Sequence, residues 1–287
     1  MATSVAQGSL ERQERLLLGT RVAMPGLDTA TDIDARADPD RPRLLVTLAT
    51  YNEAGNLRPL VEAIRQQVPD ALILIIDDNS PDGTGKLADD LKAASPATDV
   101  IHRTGKLGLG TAIIEGMEYA IAHGFDYVLN LDADFSHPPR FIPEIIAGMR
   151  DHDVMIGSRY VPGGGFEGRQ FDLKRKFMST GINVYARMFL GLSSKDNSGS
   201  FRCYRVSKLA EIDLRRRVRS RGYSFMEEIL FWCRQVGCRI GETPIIFENR
   251  RAGVSKINKY EAYMALRIIF ELGVGRVLGT TRVRKPA

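Results

Sequence analysis

Residues 71–85 read ALILIIDDNSPDGTG, and this stretch decides the fold. Ala71 to Ile76 is an apolar run without alternation, the pattern of a strand buried on both faces. It leads directly into Asp77, Asp78 and Asp82, three carboxylates within six residues. Charges of one sign so close repel each other unless a cation, hydrogen-bond donors or water offset them. Asn79, Ser80 and Asp82 can equally serve as an Asx-turn and helix cap. A buried strand that ends in acid fits an open parallel sheet, where ligands collect beyond the carboxyl ends of the strands.

The same unit recurs on both sides of this stretch. Leu44 to Leu48 reads as another buried strand, followed by a turn at Tyr51 to Gly55 and a helix over Asn56 to Gln67. Downstream come a helix over Lys86 to Ala94, a brief strand at Asp99 to His102, a glycine-rich turn at Gly105 to Gly110 and a helix over Thr111 to His123. A strand at Tyr127 to Leu131, a helix over Phe141 to Met149 and a strand at Val154 to Ile156 complete the series. This alternation predicts an α/β fold with a mixed, mostly parallel sheet and helices on both faces. Further on, Val161 to Asp172 holds four glycines and a proline and reads as a mobile loop. Helices are expected over Lys174 to Leu190, Phe225 to Val236 and Tyr260 to Val277, and strands at Phe201 to Arg205 and Ile245 to Glu248. The last helix is interrupted by Arg267, Glu271 and Arg276, which suits a membrane surface, another subunit or its own domain. The expected organisation is a tail over 1–42 with a short helix at Leu10 to Leu18, a domain over 43–257, and a C-terminal helix with a basic tail over 258–287.

Composition narrows the class. Of 287 residues, 44% are apolar and 26% charged, which excludes collagen, a coiled coil and a wholly disordered chain. Cys203, Cys233 and Cys238 form neither a disulfide framework nor a paired zinc pattern and read as reduced, buried thiols of a cytosolic protein. Forty Lys and Arg against 35 Asp and Glu give a net charge of +5. That excess is too small for a nucleic-acid binder but suits a phosphate-bearing substrate or an anionic membrane surface. No stretch of 18 apolar residues is present to span a bilayer, and Met1 to Gln13 lacks the character of a signal peptide.

Several positions carry chemistry. Tyr51 and Glu53, just past the first strand, can stack on a base and accept hydrogen bonds from a base or ribose. Asp132-Ala133-Asp134 follows the strand at 127–131, and two carboxylates spaced i, i+2 there can reach one hard cation. Mg²⁺ commonly takes one or two protein carboxylates and completes its shell with substrate phosphates. The run Arg103 to Gly110 is no dinucleotide fingerprint, since Ile113 stands where a third glycine is needed and the run follows the third strand. Its glycines are expected to bring the loop close to the sheet, with Lys106 facing a phosphate. Arg159, Lys174-Arg175-Lys176, Arg202, Arg250 and Lys256 form a basic series suited to clamping phosphate. Leu214 to Arg221, with five arginines, reads as a surface patch open to acidic lipid headgroups. His102, His123, His137 and His152 show no ligand spacing, and none is assigned to a metal.

Taken in order, eight motifs form a recognisable set: ATYNEAGN at 49–56, IIDDNSPDGTG at 75–85, GKLGLGTA at 105–112, LDADFSHPP at 131–139, GSRY at 157–160, DLKRK at 172–176, SGSFRCYR at 198–205 and FENRRAGVSK at 247–256. From Leu44 to Lys256 the chain resembles the inverting family 2 glycosyltransferases, and within them the polyprenol-phosphate (dolichol-phosphate) mannose synthases. Two positions depart from the family pattern. Ala49 stands where a proline is usual, and Ser136 where some members place a glutamine metal ligand, so Ser136 would ligate weakly, with water completing the shell.

The resemblance implies a GT-A type, Rossmann-like domain with sheet order 3-2-1-4. It implies that Tyr51, Glu53 and Asp78 hold the donor nucleoside, and that Asp132, Ala133 and Asp134 meet the donor diphosphate, with Mg²⁺ or Mn²⁺ on Asp132, Asp134 and Ser136. Arg250 and Lys256 would close on the donor phosphates, and Arg159 and Arg175 would receive the acceptor phosphate, with Asp134, Arg159 and Arg175 as the catalytic set. The implied reaction moves mannose from GDP-mannose to a polyprenyl phosphate on the cytoplasmic face of a membrane, the protein being peripheral to it. A UDP-sugar donor with the same chemistry remains open, as does a non-catalytic sugar-nucleotide-binding subunit. A homo-oligomer or a small membrane-protein partner is also left open, whereas nucleic acid is not expected. An NAD-dependent oxidoreductase is disfavoured because no glycine fingerprint follows Leu48.

Overall fold

The computed structural model describes residues 42–167, 173–249 and 259–281, without the side chains of 173–178 and 259–260. The expected tail and its helix at Leu10 to Leu18, the segment 168–172, the basic loop with Arg250 and Lys256, and residues 282–287 lie outside the described residues, as does the side chain of Arg175.

The elements follow in order as β1 (Leu44–Thr50), α1 (Ala54–Gln67), β2 (Leu72–Asp77), α2 (Thr84–Ala94), β3 (Thr98–His102), α3 (Leu109–Ala122) and β4 (Tyr127–Asp132). A 3₁₀ turn at Pro139–Phe141 leads into α4 (Ile142–Gly148), β5 (Val154–Ser158), β6 (Gly165–Phe166), α5 (Leu173–Leu190) and β7 (Arg202–Arg205). Then come α6 (Val206–Leu209), α7 (Leu214–Arg217), α8 (Phe225–Gln235), β8 (Ile240–Pro244), β9 (Ile246–Phe247) and α9 (Lys259–Val277). Among the described residues the main sheet has seven strands in the order β3-β2-β1-β4-β7-β5-β8. β3, β2, β1 and β4 run parallel, β7 is antiparallel to β4 and β5, and β8 returns parallel to β5. The mixed, mostly parallel sheet and the order 3-2-1-4 are therefore present.

Both faces of the central strands are covered, which is why β1 and β2 are mostly apolar. Val46 and Leu48 of β1 pack with Leu57, Leu60 and Ile64 of α1, Ala88 of α2, and Ile142 and Ile145 of α4. The alternate positions of β1 and β2 face α3, where Gly116 lies so close that a Cβ would sit 2.8 Å from Thr47 Cγ2. Each fully buried Leu or Ile contributes about 1.5–3 kcal/mol over an exposed one, so this doubly covered sheet is the main source of stability. On one side α9 packs across α5 and α8.

Two expectations change. The edge strand β8 was not anticipated, because Ile240-Gly-Glu-Thr-Pro244 carries no apolar run. The segment read as a mobile loop contains β6, and the strand expected near Ile245 is β9; they pair with each other in a separate two-stranded sheet. The turn at 105–110 lies at the carboxyl edge of the sheet, where Lys106 and Gly108 line a cavity with Ala49, Thr50 and Asp78, and Gly108 and Gly110 also accommodate a neighbouring segment. Gly108 has φ +105°, and a Cβ there would sit 2.5 Å from the Arg221 carbonyl oxygen. Gly110 N–H donates to that same carbonyl at 2.8 Å.

The segment Ser220–Arg221 is thus locked over the start of α3, and the arginine tract containing it is tied down as well. Arg215 bonds Glu118 at 2.6 Å, Arg219 pairs with Glu271 at 3.1 Å, and Arg217 lies over the Trp232 ring at 5.1 Å. These contacts commit much of the expected basic patch to the protein itself. A Cβ at Gly110 would lie 2.8 Å from both Phe225 Cβ and the Ser220 carbonyl oxygen, whereas one at Gly55 meets nothing within 4 Å. Urea denaturation should therefore show Gly110→Ala destabilised by about 1–3 kcal/mol, with Gly55→Ala neutral or slightly stabilised.

Candidate active site

The register of the parallel strands builds the site. Ala49 of β1 pairs with Asp132 of β4, and Thr50 with Asp77 of β2. Tyr51, Asp78 and the Asp132–Asp134 segment therefore leave the sheet side by side on its carboxyl edge. They line one cavity of about 180 Å³ together with Glu53, Lys106 and Glu261.

The acids after β2 divide their work. Asp77 accepts from Ser80 N–H at 3.0 Å, Ser80 Oγ at 2.6 Å and Thr50 Oγ1 at 3.0 Å. Asp82 accepts from Thr84 N–H at 3.0 Å and Ala54 N–H at 3.1 Å, tying the starts of α1 and α2 together. These two are turn and cap residues. Asp78 faces the cavity and accepts from Arg103 Nη1 at 2.6 Å in a buried ion pair. Burial raises the Asp78 carboxyl above the usual range, with Arg103 pulling the other way. Arg103 also pairs with Glu115 at 3.2 Å and donates to Thr111 Oγ1, so it anchors Asp78 to α3. Glu53 accepts from Asn56 Nδ2 at 2.8 Å. Lys106 Nζ lies 4.4 Å from the centre of the Tyr51 ring, over the face expected to stack on a base.

Beyond β4 the chain turns sharply. Phe135 is buried with φ +67°, a left-handed conformation that costs a bulky side chain energy and persists only where the surroundings enforce it. The turn brings Ser136 back onto Asp134, whose Oδ1 accepts both the Ser136 N–H at 2.9 Å and the Ser136 hydroxyl. Ser136 is fully buried and orients that carboxylate. Asp132 Oδ1 accepts from Ser200 Oγ at 2.6 Å, and its N–H donates to His137 Nδ1 at 3.2 Å. His137 is enclosed between Phe201 and Phe247, each ring centre 5.2 Å away. Burial lowers its pKa despite Asp132 and Asp134, leaving a neutral ring that accepts at Nδ1. Histidine spacing gave no sign of this role, which is to hold the strand end.

A second cavity, of about 140 Å³, shares Asp132, Tyr223 and Glu261 with the first and extends to Arg159, Ser179, Ser198 and Glu227. Arg159 lines this cavity, held by a partner that the sequence reading missed. Asp196 Oδ2 accepts from Arg159 Nε at 2.7 Å and from its backbone N–H at 3.0 Å, while Oδ1 accepts from Nη2 at 2.7 Å. Burial alone would raise the Asp196 carboxyl, yet Arg159 and its hydrogen bonds hold it below the usual range. The Asp-Asn-Ser tripeptide at 196–198, which repeats the one at 78–80, was the available signal. Arg202 is no surface clamp. It is fully buried, with Nη1 donating to the Met226 carbonyl and Nη2 to the Asn197 carbonyl, both at 2.6 Å.

Removing Asp196 would strand the Arg159 charge in a site where the Asp196 side chain is 0% exposed. Asp196→Ala should cost about 3–5 kcal/mol in chemical denaturation at pH 7. Because the folded carboxyl titrates below its unfolded value, its contribution is present above about pH 4 and is lost as the pH falls through the folded pKa. The gap between wild type and variant should narrow there.

Residues 46–213 match the family described as Glycosyl transferase family 2, more than half of the chain. An undecaprenyl-phosphate mannosyltransferase of Micrococcus luteus is 39% identical over 216 residues, covering 75% of this chain and 88% of that protein. A polyprenol monophosphomannose synthase of Mycolicibacterium smegmatis is 38% identical over 237 residues, covering 81% and 87%. Among solved structures, glucosyl-3-phosphoglycerate synthase from Mycobacterium tuberculosis, crystallised with Mn²⁺, UDP-glucose and phosphoglyceric acid, superposes with a TM-score of 0.55 at 15% identity, covering 88% of this chain and 85% of that one. That likeness concerns the fold, which is GT-A. With the matched family spanning β1 to the start of α7 and both mannosyltransferases aligned over most of the chain, this protein belongs to the family 2 glycosyltransferases and is an enzyme of that class.

Proposed function

We propose that this enzyme transfers mannose from GDP-mannose to a polyprenyl phosphate, with inversion, to give polyprenyl-phosphate β-mannose. The observation that carries the reading is the pair of joined cavities meeting at Asp132, in a chain 38–39% identical to two proteins named for mannosyl transfer to polyprenyl phosphate or its product. The first cavity would take the nucleoside on Tyr51, Glu53 and Asp78. Ala133 and the adjoining carboxylates would meet the diphosphate, and Arg250 and Lys256 would close on it. Arg159 and Arg175 would receive the acceptor phosphate.

The donor set suits a hard divalent ion. Asp132 and Asp134 are two oriented carboxylates at one strand end, and Mg²⁺ or Mn²⁺ would complete its shell with substrate phosphates, neutralising charge on the leaving diphosphate. Among the described residues there is no group of three His, Cys, Asp or Glu to enclose a metal without substrate. Ser136 supports the set by holding Asp134.

The acceptor needs no strong base. A phosphate monoester has a second pKa of about 6 and is an anion at neutral pH. One of its oxygens forms the bond to the anomeric carbon as the bond to the donor β-phosphate oxygen breaks and GDP departs. The protein's tasks are alignment and charge neutralisation. Asp134→Ala should lower mannosyl transfer by about a thousandfold without unfolding the protein, as measured with labelled GDP-mannose beside a melting curve. Near-normal transfer would remove Asp134 from the mechanism.

A lipid acceptor requires a membrane surface, and α9 supplies a face for it. Tyr263, Leu266, Phe270, Val274 and Val277 form an exposed stripe at helical spacing, with Phe270 52% and Val277 85% exposed. Val184 and Met188 of α5 add to the exposed apolar surface, and Arg267, paired with Glu271 at 2.7 Å, and Arg276, which donates to the Phe189 carbonyl at 3.2 Å, would meet anionic headgroups beside it. No helix of the described residues is long and apolar enough to cross a membrane. The double variant Leu266→Glu, Phe270→Glu should bind anionic vesicles at least about tenfold more weakly in flotation assays, with GDP-mannose binding retained.

A further inference from the structure

The wall of the second cavity holds a carboxyl that the mechanism does not use. Glu227, in the first turn of α8, is 2% exposed and lines that cavity with Asp132, Arg159, Ser198 and Met226. Among the described residues its Oε2 has no hydrogen-bond partner. A buried carboxyl oxygen without a donor is costly, and native proteins rarely leave one unless a ligand or water completes it.

The charges around it explain why it is tolerated. Arg202 is fully buried and Arg159 mostly so, its side chain 12% exposed, and Asp196 offsets Arg159. Glu227 is the second acid within their field and balances Arg202, whose Nε also lacks a partner among the described residues. Burial nevertheless raises the carboxyl to about 7, so both of its protonation states are accessible near neutrality.

The missing partner must therefore be able both to donate and to accept. A hydroxyl does both. A phosphate does not suit the ionised form, which would repel it, and a lipid chain would leave the oxygen unsatisfied. Position supports the same conclusion. Asp132 lines both cavities, so a donor with its nucleoside in the first and its diphosphate at Asp132 directs its sugar into the second.

We propose that Glu227 reads the transferred sugar, its open oxygen bonding one hydroxyl of the hexosyl group and so selecting which sugar the enzyme takes. This rests on the sugar-nucleotide donor proposed above. A buried polar group left unpaired by the wrong substrate discriminates more strongly than apolar contact does.

Calorimetric binding separates this role from a structural one and needs no acceptor. The full chain and its Glu227→Ala and Glu227→Gln variants would be titrated, with Mg²⁺, against GDP, GDP-mannose and the 2-, 3-, 4- and 6-deoxy forms of GDP-mannose. The wild type should bind one deoxy donor about 10- to 100-fold more weakly than GDP-mannose. Glu227→Ala should lose affinity for GDP-mannose by a similar factor and cease to distinguish that deoxy donor, while GDP binds equally to all three proteins. Glu227→Gln, which keeps an acceptor and gains a donor in the same volume, should retain part of the discrimination and serves as the decisive variant if the alanine protein does not fold. Equal losses for GDP and GDP-mannose, or an unchanged ranking of the deoxy donors, would overturn the assignment. A wild type that binds UDP-glucose instead moves the same comparison to UDP and the deoxy UDP-glucoses and corrects the donor alone. If no sugar nucleotide binds, both readings fall.

Discussion

Neighbouring strands of a parallel sheet leave the hydrogen-bonded ladder on the same edge, and in this protein they leave it carrying carboxylates. Pairing of Ala49 with Asp132 and of Thr50 with Asp77 obliges Tyr51, Asp78 and the Asp132–Asp134 turn to share one crevice. Everything around that edge manages the charge gathered there. Arg103 neutralises Asp78, Ser136 and Ser200 hold Asp134 and Asp132, and a neutral His137 accepts the Asp132 N–H. The left-handed Phe135 is part of the same arrangement, since it returns the chain so that Ser136 reaches Asp134.

The neighbouring cavity is organised by the buried pair of Arg159 and Asp196. This pair has a consequence for the proposed acceptor. An arginine held on two sides by one carboxylate is a pre-aimed cation of reduced net charge, suited to positioning a phosphate.

The parallel half of the fold was legible because strands buried on both faces leave apolar runs without alternation, as at Leu44 to Leu48 and Ala71 to Ile76. The edge strand β8 leaves no such trace, since one of its sides is unpaired among the described residues and Gly241, Glu242 and Pro244 interrupt it. Strand-end acids could be located, but their roles could not be separated. Whether Asp77, Asp78 or Asp82 faces the crevice depends on Ser80, Thr84 and Arg103, and so on contacts across the fold. Asp196, His137 and Glu227 were missed because burial beside distant partners gives each its role. Glu227 lies within Phe225-Met-Glu-Glu-Ile229, where nothing local separates it from Glu228, whose Oε2 accepts from the N–H groups of Arg219 and Ser220.

The central claim is the identity of what is transferred, and to what. The most direct measurement follows sugar-labelled GDP-mannose, UDP-glucose and UDP-N-acetylglucosamine, each with Mg²⁺ and a short polyprenyl phosphate, into the organic phase. The account predicts label extracted from GDP-mannose alone and dependent on the polyprenyl phosphate. Label carried only from a UDP-sugar, or none carried from any donor that binds, would contradict it.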